Sequence, residues 1–561
     1  MQYVASPSGS LRGTLLFYCC VYPLLSKRPT GSSPHTASIN ILDNDSLLNI
    51  FYLYRPVIID RDGHEVHYWS FDGGSQWDRE RWWYKPAQVC KRWRNLILGS
   101  ASYLRLCLFC TNGTPVAEML AHSPPLPLVF DYRDPDPPNL YISAEERDGI
   151  IRALEQRTRV RRIRFKILVS DLPNFIKSID GEYPMLEYLV VSPPVKDSNT
   201  ALSLPETLQA PCLRHLQLSR IALPLGSQLF PTAVALVTLT LTTMGHPSTD
   251  FKPSTLLQWL AFMPQLEKLS ISILYPFILY PNPNDDAESQ LMHTSNMAHV
   301  TLPNLRWFHF HGDIAFEEAL VCRMTTPRLE RLRFWFVEEP TVSVPIRSLP
   351  NLLHFMNTVR HLKFDTAHFI FFRTQVVVGV NSREDSAGFV FSMAVLYCLP
   401  LDLQVSFVTQ IFDSIGQIFS TVEDLAFEYE EFYEEPNEFD RAEWRRLLRP
   451  FSNLKSLDID EELVEGVSHC LQPDDGENPL ELLPKLQELT YSGSSDTGDA
   501  FTSFIDARRN AGRPVTLVLR PTSVTTPSRN SSQSSLESSS AMTWDSEVAE
   551  AGIGAGSDLD T

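Results

Sequence analysis

The sequence predicts an α/β solenoid that follows a short N-terminal helical module, and three observations lead to this prediction. The pattern L-x-x-L-x-L, often preceded by proline, recurs along the middle of the chain. Segments with helical periodicity separate several of its copies. Glycine accounts for only 24 of the 561 residues, and neither GxGxxG nor GxxxxGK(S/T) occurs, which argues against a doubly wound nucleotide-binding domain.

The recurring pattern is the main evidence for the solenoid. Its copies include PCLRHLQL (211–218), PQLEKLSI (264–271), PNLRWFHF (303–310) and PRLERLRF (327–334). The first apolar position falls at Val160, Leu186, Leu213, Leu236, Leu266, Leu305, Leu329, Val359, Val422, Leu454 and Leu486. These positions lie 23 to 39 residues apart, except for the 63 residues from 359 to 422, which fit two units with one degenerate copy. Strand, helix and strand at this period indicate a leucine-rich-repeat solenoid, with parallel strands on its concave face.

Two intervening segments carry the helical part of the prediction. TLLQWLAFM (255–263) places Leu256, Leu257, Leu260 and Met263 along one face. AEWRRLL (442–448) shows the same arrangement. Both are therefore expected to pack against the strands.

The residues before the repeats also have helical periodicity. In the segment 39–54, Asp and Asn residues can cap a helix in which Leu47, Ile50, Phe51 and Tyr54 fall at i, i+3, i+4 and i+7. The polar and aromatic segment at about 57–84 predicts an inserted loop.

A second helix is predicted over AQVCKRWRNLI (87–97). On a helical wheel, an arc of about 120° holds Val89, Cys90, Trp93, Leu96 and Ile97. We therefore expect Cys90 to be buried, and most of the basic residues of this helix to face solvent.

These two helices resemble the F-box, a short helical module at the N-terminus of many substrate receptors. The F-box usually reads LP-x-E-x-L-x-x-IF and then V-C-(K/R)-x-W-(R/K). The first half is matched by Leu42, Leu47, Ile50 and Phe51, and VCKRWR (89–94) matches the second. Asp43 stands where the family usually has proline, and the insertion separates the halves. Followed by repeats, the chain resembles the F-box/leucine-rich-repeat proteins, in the irregular form abundant in fungi.

The resemblance implies a substrate-recognition subunit of an SCF-type E3 ubiquitin ligase. The F-box would bind the Skp-type adaptor, and the repeats would bind an unknown target protein. The positions that would pack the module or contact the adaptor are Leu42, Leu47, Ile50, Phe51, Val89, Cys90, Trp93, Leu96 and Ile97. A repeat scaffold without a ligase role is the alternative, because Asp43 and the insertion depart from the family pattern. A hydrolase or transferase with an unrecognised site is a third hypothesis.

Composition and motifs argue against several other functions. The net charge of −19 and the pI of about 5.2 argue against broad binding to nucleic acids or anionic membranes. No GxSxG motif occurs, and the single CxxC (Cys107 and Cys110) lacks the second pair that a structural zinc site needs. We expect two buried cysteines, no metal, no cofactor and no catalytic site.

Localisation in the cytoplasm or nucleus is expected. Nine scattered cysteines, an odd number, are typical of a reducing compartment. The apolar segment 15–25 resembles part of a signal peptide, but it contains Pro23 and no clear cleavage site follows it.

The strand pattern also predicts a binding surface. Alternation places the polar positions of L-x-x-L-x-L on the concave face. That face should grade from basic (Arg162, Arg164, Lys166) to acidic (Asp424, Glu428, Asp458, Asp460, Glu488). Between these ends lies a candidate target-binding patch of Trp307, His309, His311, Arg331, Arg333 and Trp335, rich in residue types that dominate binding interfaces. The alternative is that these large side chains only cover one another.

The predicted organisation has four parts. Residues 1–38 form a poorly structured extension, and residues 39–110 form the F-box-like module. Residues 111–520 form the solenoid, and residues 521–561 form a Ser-rich acidic tail that is expected to be disordered.

Overall fold

The computed structural model describes most of the chain between residues 42 and 520. The described ranges are 42–54, 82–133, 142–167, 171–193, 202–224, 226–244, 252–274, 299–312, 314–337, 350–358, 364–372, 375–382, 391–396, 401–430, 440–473, 477–493 and 499–520. The chain divides into two compact units, Met1–Arg105 and Leu106–Thr561. The predictions for residues 1–38, 57–81 and 521–561 lie outside the described residues.

The first unit contains helices α1 (Asn44–Tyr54), α2 (Tyr84–Val89) and α3 (Lys91–Gly99). Asp43 begins α1, because its Oδ1 accepts the backbone N–H of Ser46 at 2.6 Å. Leu47 and Phe51, one turn apart, are the buried residues of α1. The other two apolar residues with this helical spacing, Ile50 and Tyr54, are 43% and 58% exposed.

The predicted continuous helix over 87–97 is wrong. Cys90 has an extended backbone (φ −158°, ψ 167°) that separates α2 from α3, and its Sγ accepts the N–H of Trp93 at 3.5 Å. Because this break shifts the helical phase, Val89 is 61% exposed and Cys90 is exposed, contrary to the prediction. Ile97 is buried as predicted, whereas Trp93 and Leu96 are only partly buried.

Two tryptophans that the sequence assigned to the insertion belong to the folded unit. Trp82 and Trp83 are 8% and 5% exposed, immediately before α2. The ring of Trp83 stacks on Tyr84 at 4.2 Å, and that of Trp82 meets Tyr54 edge to face at 6.1 Å. The insertion therefore ends before Trp82, because these indoles are part of the core.

The second unit is built on a sheet of sixteen described strands. They are β1 (Leu108–Thr111), β2 (Leu128–Arg133), β3 (Val160–Lys166), β4 (Tyr188–Val191), β6 (His215–Ser219), β8 (Thr238–Met244), β9 (Lys268–Leu274), β11 (Trp307–Gly312), β13 (Arg331–Val337), β14 (Thr366–Phe371), β15 (Gln375–Asn381), β16 (Phe391–Leu396), β17 (Asp424–Tyr429), β18 (Ser456–Ile459), β19 (Glu488–Ser492) and β20 (Thr516–Arg520). Two short pairs accompany it, β5 (Leu202–Ser203) with β7 (Ile221–Ala222) and β10 (Val300–Thr301) with β12 (Met324–Thr325).

Helices connect many of these strands. They are α4 (Val116–His122), α5 (Ala144–Leu154), α6 (Leu172–Ser178), α7 (Leu229–Thr232), α8 (Pro253–Leu260), α9 (Ile314–Val321), α10 (Pro350–Thr358), α11 (Leu401–Ile415), α12 (Arg441–Leu448), α13 (Val464–Leu471) and α14 (Thr502–Asn510). The predicted faces of α8 and α12 are confirmed, since Leu256, Leu257 and Leu260, and Trp444, Leu447 and Leu448, are buried.

The α/β solenoid is confirmed, and the repeat pattern explains its core. In PCLRHLQL, the three leucines Leu213, Leu216 and Leu218 are at most 2% exposed. Leu216 pairs in parallel register with Leu189 on one side and Leu239 on the other. Equivalent leucines therefore stack from strand to strand, and each such burial is worth about 2 kcal/mol.

The segment between β13 and β17 departs from the predicted repeat order. The sheet runs β13-β16-β15-β14-β17, so three consecutive strands are laid down in reverse. β15 is antiparallel to both β14 and β16, whereas β16 is parallel to β13 and β14 is parallel to β17. The prediction that the 63 residues from 359 to 422 hold two successive repeat units is thus wrong, because β15 runs antiparallel to its neighbours. Phenylalanines fill the core here; for example, Phe412 stacks on Phe419 at 4.3 Å.

The sheet also begins earlier than the predicted boundary at residue 110. That boundary lies inside β1, which pairs with β2, a strand that the repeat pattern did not predict. Cys107 and Cys110 are both buried, as expected of two structural cysteines.

Candidate docking surfaces

The centre of the first unit is an aromatic contact between its two halves. Phe51 of α1 meets Trp93 of α3 edge to face, with ring centroids 4.9 Å apart. The guanidinium of Arg92 donates to the carbonyl of Leu42 at 2.6 Å and to Asn44 Oδ1 at 3.0 Å. The start of α3 is thereby tied to the start of α1.

The nine positions identified from the sequence separate into three groups. Leu47, Phe51 and Ile97 are buried and form the core of the unit. Leu42, Trp93 and Leu96 are intermediate. The third group, Ile50, Val89 and Cys90, is exposed.

Apolar side chains are unusually exposed on this unit. Ile50, Leu53 and Tyr54 of α1 are 43%, 80% and 58% exposed, and Val89 is 61% exposed. We call these four residues the module surface. Ile50, Leu53 and Tyr54 are spaced i, i+3 and i+4, so they share one face of α1 beside the buried face. Exposed apolar residues on one helix face are typical of a surface that binds another protein.

The candidate patch of the second unit lies on three adjacent strands. The register pairs Lys268 with Trp307 and Trp307 with Arg331 across β9, β11 and β13. The next rows are Ser270, His309 and Arg333, and then Ser272, His311 and Trp335. We call these nine residues the polar grid.

Strand alternation turns the polar grid away from the core, as predicted. Its members on β11 and β13 are partly exposed, and the residues between them, such as Phe308 and Leu332, are at most 1% exposed. Phe310 and Phe334 are fully buried. The structure therefore brings together all six residues of the predicted patch, and Lys268, Ser270 and Ser272 extend it.

The two histidines of the grid are held by the serines of β9. Nδ1 of His309 is 3.2 Å from Ser270 Oγ, and Nδ1 of His311 is 3.3 Å from Ser272 Oγ. Both rings also meet the Trp335 indole edge to face, at 5.7 and 5.5 Å. The rings are thus fixed between two neighbouring strands.

Several polar atoms of this region are buried without a hydrogen-bond partner. Within the described residues, they include Nε2 of His309 and His311, Nε1 of Trp335 and the hydroxyl of Ser392, which pairs in register with Arg333. Burial, together with the charges of Arg333 and His311, lowers the pKa of His309 to about 3, and burial lowers the pKa of His311 to about 4. Both imidazoles are therefore neutral at pH 7.

The basic residues at the start of the array are partly engaged inside the protein. Arg164 is 9% exposed, lies 3.5 Å from Asp131 and donates to the Tyr188 hydroxyl at 2.7 Å. The expected open position of Arg164 is therefore wrong, because Asp131 and Tyr188 on the flanking strands enclose its guanidinium. Asp131 lies on β2, the strand that the sequence pattern did not reveal.

The acidic end is also partly neutralised. Asp458 forms an ion pair with Arg520 of β20, and Glu428 lies 3.5 Å from His368. The Asp460 carboxylate accepts the backbone N–H of Tyr429 at 3.0 Å, while burial raises its pKa. Asp460 therefore organises a strand end.

The part of the chain that the structure describes contains no group of three or more His, Cys, Asp or Glu side chains arranged to hold a metal ion. Among the same residues, no helix combines the length and apolar character needed to cross a bilayer.

Comparisons with known proteins give only distant likenesses. No protein-family model matches the chain, and no curated protein matches its sequence. Three similar solved structures are a TLR13–ssRNA13 complex, a Rad7–Elc1 complex from yeast and the leucine-rich-repeat protein LegL7 from Legionella pneumophila, at 12%, 12% and 10% identity and TM-scores of 0.27, 0.25 and 0.23. The matches cover 73%, 75% and 73% of this chain and 48%, 90% and 99% of those chains, so this chain spans about half the length of the TLR13 chain.

Proposed function

We propose that this protein is a non-catalytic substrate receptor of an SCF-type ubiquitin ligase, working in the cytoplasm or nucleus. In this proposal, the helical unit binds the Skp-type adaptor and the solenoid binds a target protein. The receptor would act by holding two partners on one chain, which raises their effective concentration.

The module surface is the observation that carries this proposal. Leu53 and Val89 are 80% and 61% exposed, although neighbouring positions such as Leu47 and Ile97 are fully buried. A folded unit that exposes leucine, isoleucine, tyrosine and valine beside its core has a surface suited to a partner's apolar groove. Ile50 and Val89 of this surface are also positions of the F-box resemblance, which indicates which partner that would be.

The position that departs from the F-box pattern does not weaken the module. Asp43 replaces the usual proline, and its carboxylate caps α1 through Ser46. A proline at the start of a helix and a capping aspartate both favour helix initiation, although by different means. Asp43 is therefore compatible with an F-box-like α1.

The test is capture of a purified Skp-type adaptor by the full-length chain. We expect Leu53→Asp and Val89→Asp each to weaken capture at least tenfold, because a buried aspartate would have no partner in an apolar interface. Val234→Asp is the matched control, since Val234 is 52% exposed but lies in the solenoid unit. If the unchanged chain captured no adaptor at micromolar concentrations, the repeat-scaffold alternative would replace this proposal.

The polar grid is the proposed site for the target protein. It combines two tryptophans and two arginines, the residue types that most often dominate binding energy, on three rigid neighbouring strands. In the alternative reading, in which these side chains only cover one another, substituting them would change stability and leave target capture intact.

A further inference from the structure

The polar grid has a charge that is unusual for this chain. It holds three cationic side chains, Lys268, Arg331 and Arg333, within a protein of net charge −19. Lys268 is exposed, and the two arginines are partly exposed. No carboxylate occupies an outward-facing position on the described parts of β9, β11, β13 or β16.

Hydrogen-bond donors accompany these cations. The indole Nε1–H of Trp335 has no acceptor among the described residues. When the Ser270 and Ser272 hydroxyls donate to the Nδ1 atoms, Nε2 of each histidine carries its hydrogen and becomes another unpaired donor. A buried polar atom without a partner destabilises the folded chain, because it has given up its hydrogen bonds to water. An oxygen ligand that reached these atoms would remove that cost.

We propose that the polar grid binds an acidic segment of the target protein through its carboxylates. This inference rests on the proposed function, and it names the chemistry of the target. Arg331 and Arg333 would bind a carboxylate, which accepts the paired N–H groups of a guanidinium. Trp307, between Lys268 and Arg331 in register, would contact an apolar side chain of the same segment.

The geometry also indicates the spacing of the acidic residues. Lys268 and Arg331 occupy equivalent positions two strands apart, which is about 10 Å at 4.8 Å per strand. A peptide in the polyproline II conformation has three residues per turn and rises about 3.1 Å per residue, so acidic residues at i and i+3 lie on one face and span about the same distance. The preferred segment is therefore Glu-x-x-Glu with apolar residues between, crossing the strands.

Nucleic acid is the other anionic polymer that a surface with tryptophan and arginine could attract. Its affinity depends on the number of phosphates that lysine and arginine neutralise, and three cations are few. The same face of the sheet carries Asp424, Glu428 and Asp458 on β17 and β18. Arg520 pairs with Asp458, but the three carboxylates outnumber it and would repel an extended polyanion. A short peptide avoids that repulsion because its charge is local.

The test measures binding of a fluorescein-labelled peptide, GSELLESG, to the full-length chain by fluorescence anisotropy, with no adaptor present. We expect saturable binding at about 50 mM salt that weakens as salt rises. The peptide GSQLLQSG should bind at least tenfold more weakly. Arg331→Gln and Lys268→Gln, the second at an exposed residue, should each weaken GSELLESG binding about fivefold to tenfold.

Arg306→Gln is the matched control for charge. Arg306 directly precedes Trp307, is 56% exposed and forms an ion pair with Glu330 at 3.5 Å, so its removal changes net charge equally outside the grid. Equal weakening by Arg306→Gln, or equal binding of the glutamine peptide, would overturn the proposal. Tighter binding of a twelve-residue oligothymidine, weakened by the same grid substitutions, would replace the peptide with nucleic acid. Because no adaptor is present, failure here leaves the ligase proposal intact.

Discussion

The Phe51 ring meets the Trp93 indole edge to face at 4.9 Å, across 42 positions of sequence (93 minus 51). This contact joins the two halves of the motif that resembles an F-box, although an insertion lies between them. Phe51 is 2% exposed, whereas Ile50 beside it is 43% exposed. Adjacent residues of one helix thus have different tasks: one holds the unit together and the other is available to a partner.

Phe51→Ala should destabilise the helical unit by about 3 kcal/mol, since it removes a buried ring and leaves a cavity. Faster hydrogen exchange of the α1 and α3 amides in the full-length chain would show this. Ile50→Ala is the control and should change exchange little. Equal protection in both variants would contradict the assigned core.

Glu317 and Glu318, neighbours on α9, should respond in opposite ways to replacement by leucine. The Glu317 side chain is completely buried, and within the described structure its carboxylate has no hydrogen-bond partner, so burial raises its pKa well above the usual value. The unfolded chain ionises this group above about pH 4.5, and stability is therefore lost as pH rises. Glu317→Leu should raise the free energy of unfolding at pH 7 by about 2 kcal/mol.

Glu318→Leu should instead lower the free energy of unfolding by about 1 kcal/mol. The Glu318 carboxylate accepts the backbone N–H groups of Asn351 and Leu352, at 3.1 and 2.8 Å, and so caps the start of α10. Urea denaturation of both variants at pH 7 checks the pair. Destabilisation by both substitutions would contradict the view that Glu317 is an unpaired buried acid.

The two grid histidines should make the solenoid less stable in acid. Their folded-state pKa values are about 3 and about 4, whereas an unfolded histidine titrates near pH 6.5. Between pH 6.5 and these values only the unfolded chain binds the protons, so stability is full above pH 6.5 and falls as pH drops. Each histidine contributes up to about 1.4 kcal/mol per pH unit.

Replacing both histidines with asparagine should flatten this slope between pH 6.5 and 4, as measured by urea denaturation at several pH values. Arg333 pairs in register with His309 and contributes to the lowered pKa of that ring, whereas Lys268 and Arg331 pair with Trp307. The exposed His122→Asn variant is the control. An unchanged slope in the double variant would show that other groups cause the acid loss.

Arg164→Met should cost about 3 kcal/mol, because it removes a cation from beside the buried Asp131 carboxylate. The double variant Arg164→Met/Asp131→Leu should recover most of that loss, since both charges are then absent. Thermal unfolding of these two variants and of the single variant Asp131→Leu completes a double-mutant cycle. An additive result would mean that the 3.5 Å pair contributes nothing specific.

The leucine pattern predicted the repeated strands and their core faces because a parallel sheet stacks equivalent residues. The burial of Leu213, Leu216 and Leu218 could be predicted from the sequence, because the apolar positions of the repeat all face the core. The outward direction of the polar grid followed from the alternation of side chains along each strand. For the candidate site, the sequence therefore identified six of the nine grid residues. It missed Lys268, Ser270 and Ser272, because a single lysine and two small hydroxyls do not stand out as tryptophan and arginine do.

Other features depend on information that periodicity does not carry. The break at Cys90 arises because one extended residue resets the helical phase, and VCKRWR reads equally well as one helix. The reversed order of β14, β15 and β16 depends on strand pairing between distant segments. One signal was present: QVVVGVN (375–381) is a continuous apolar run, typical of a strand buried on both faces rather than of L-x-x-L-x-L.

That reversal changes how the repeats cooperate. In an ordinary solenoid each unit docks on the one made just before it, so structure spreads along the chain in small local steps. Here β13 pairs on its second edge with β16, whose first residue follows Val337 by 54 positions (391 minus 337). Both neighbours of β14, β15 and β17, come later in the chain. Closing such a loop costs chain entropy before any contact repays it. The antiparallel segment β14–β16 therefore divides the sheet into two parts that each unfold cooperatively. We expect partial unfolding to separate the strands up to β13 from those that begin at β17.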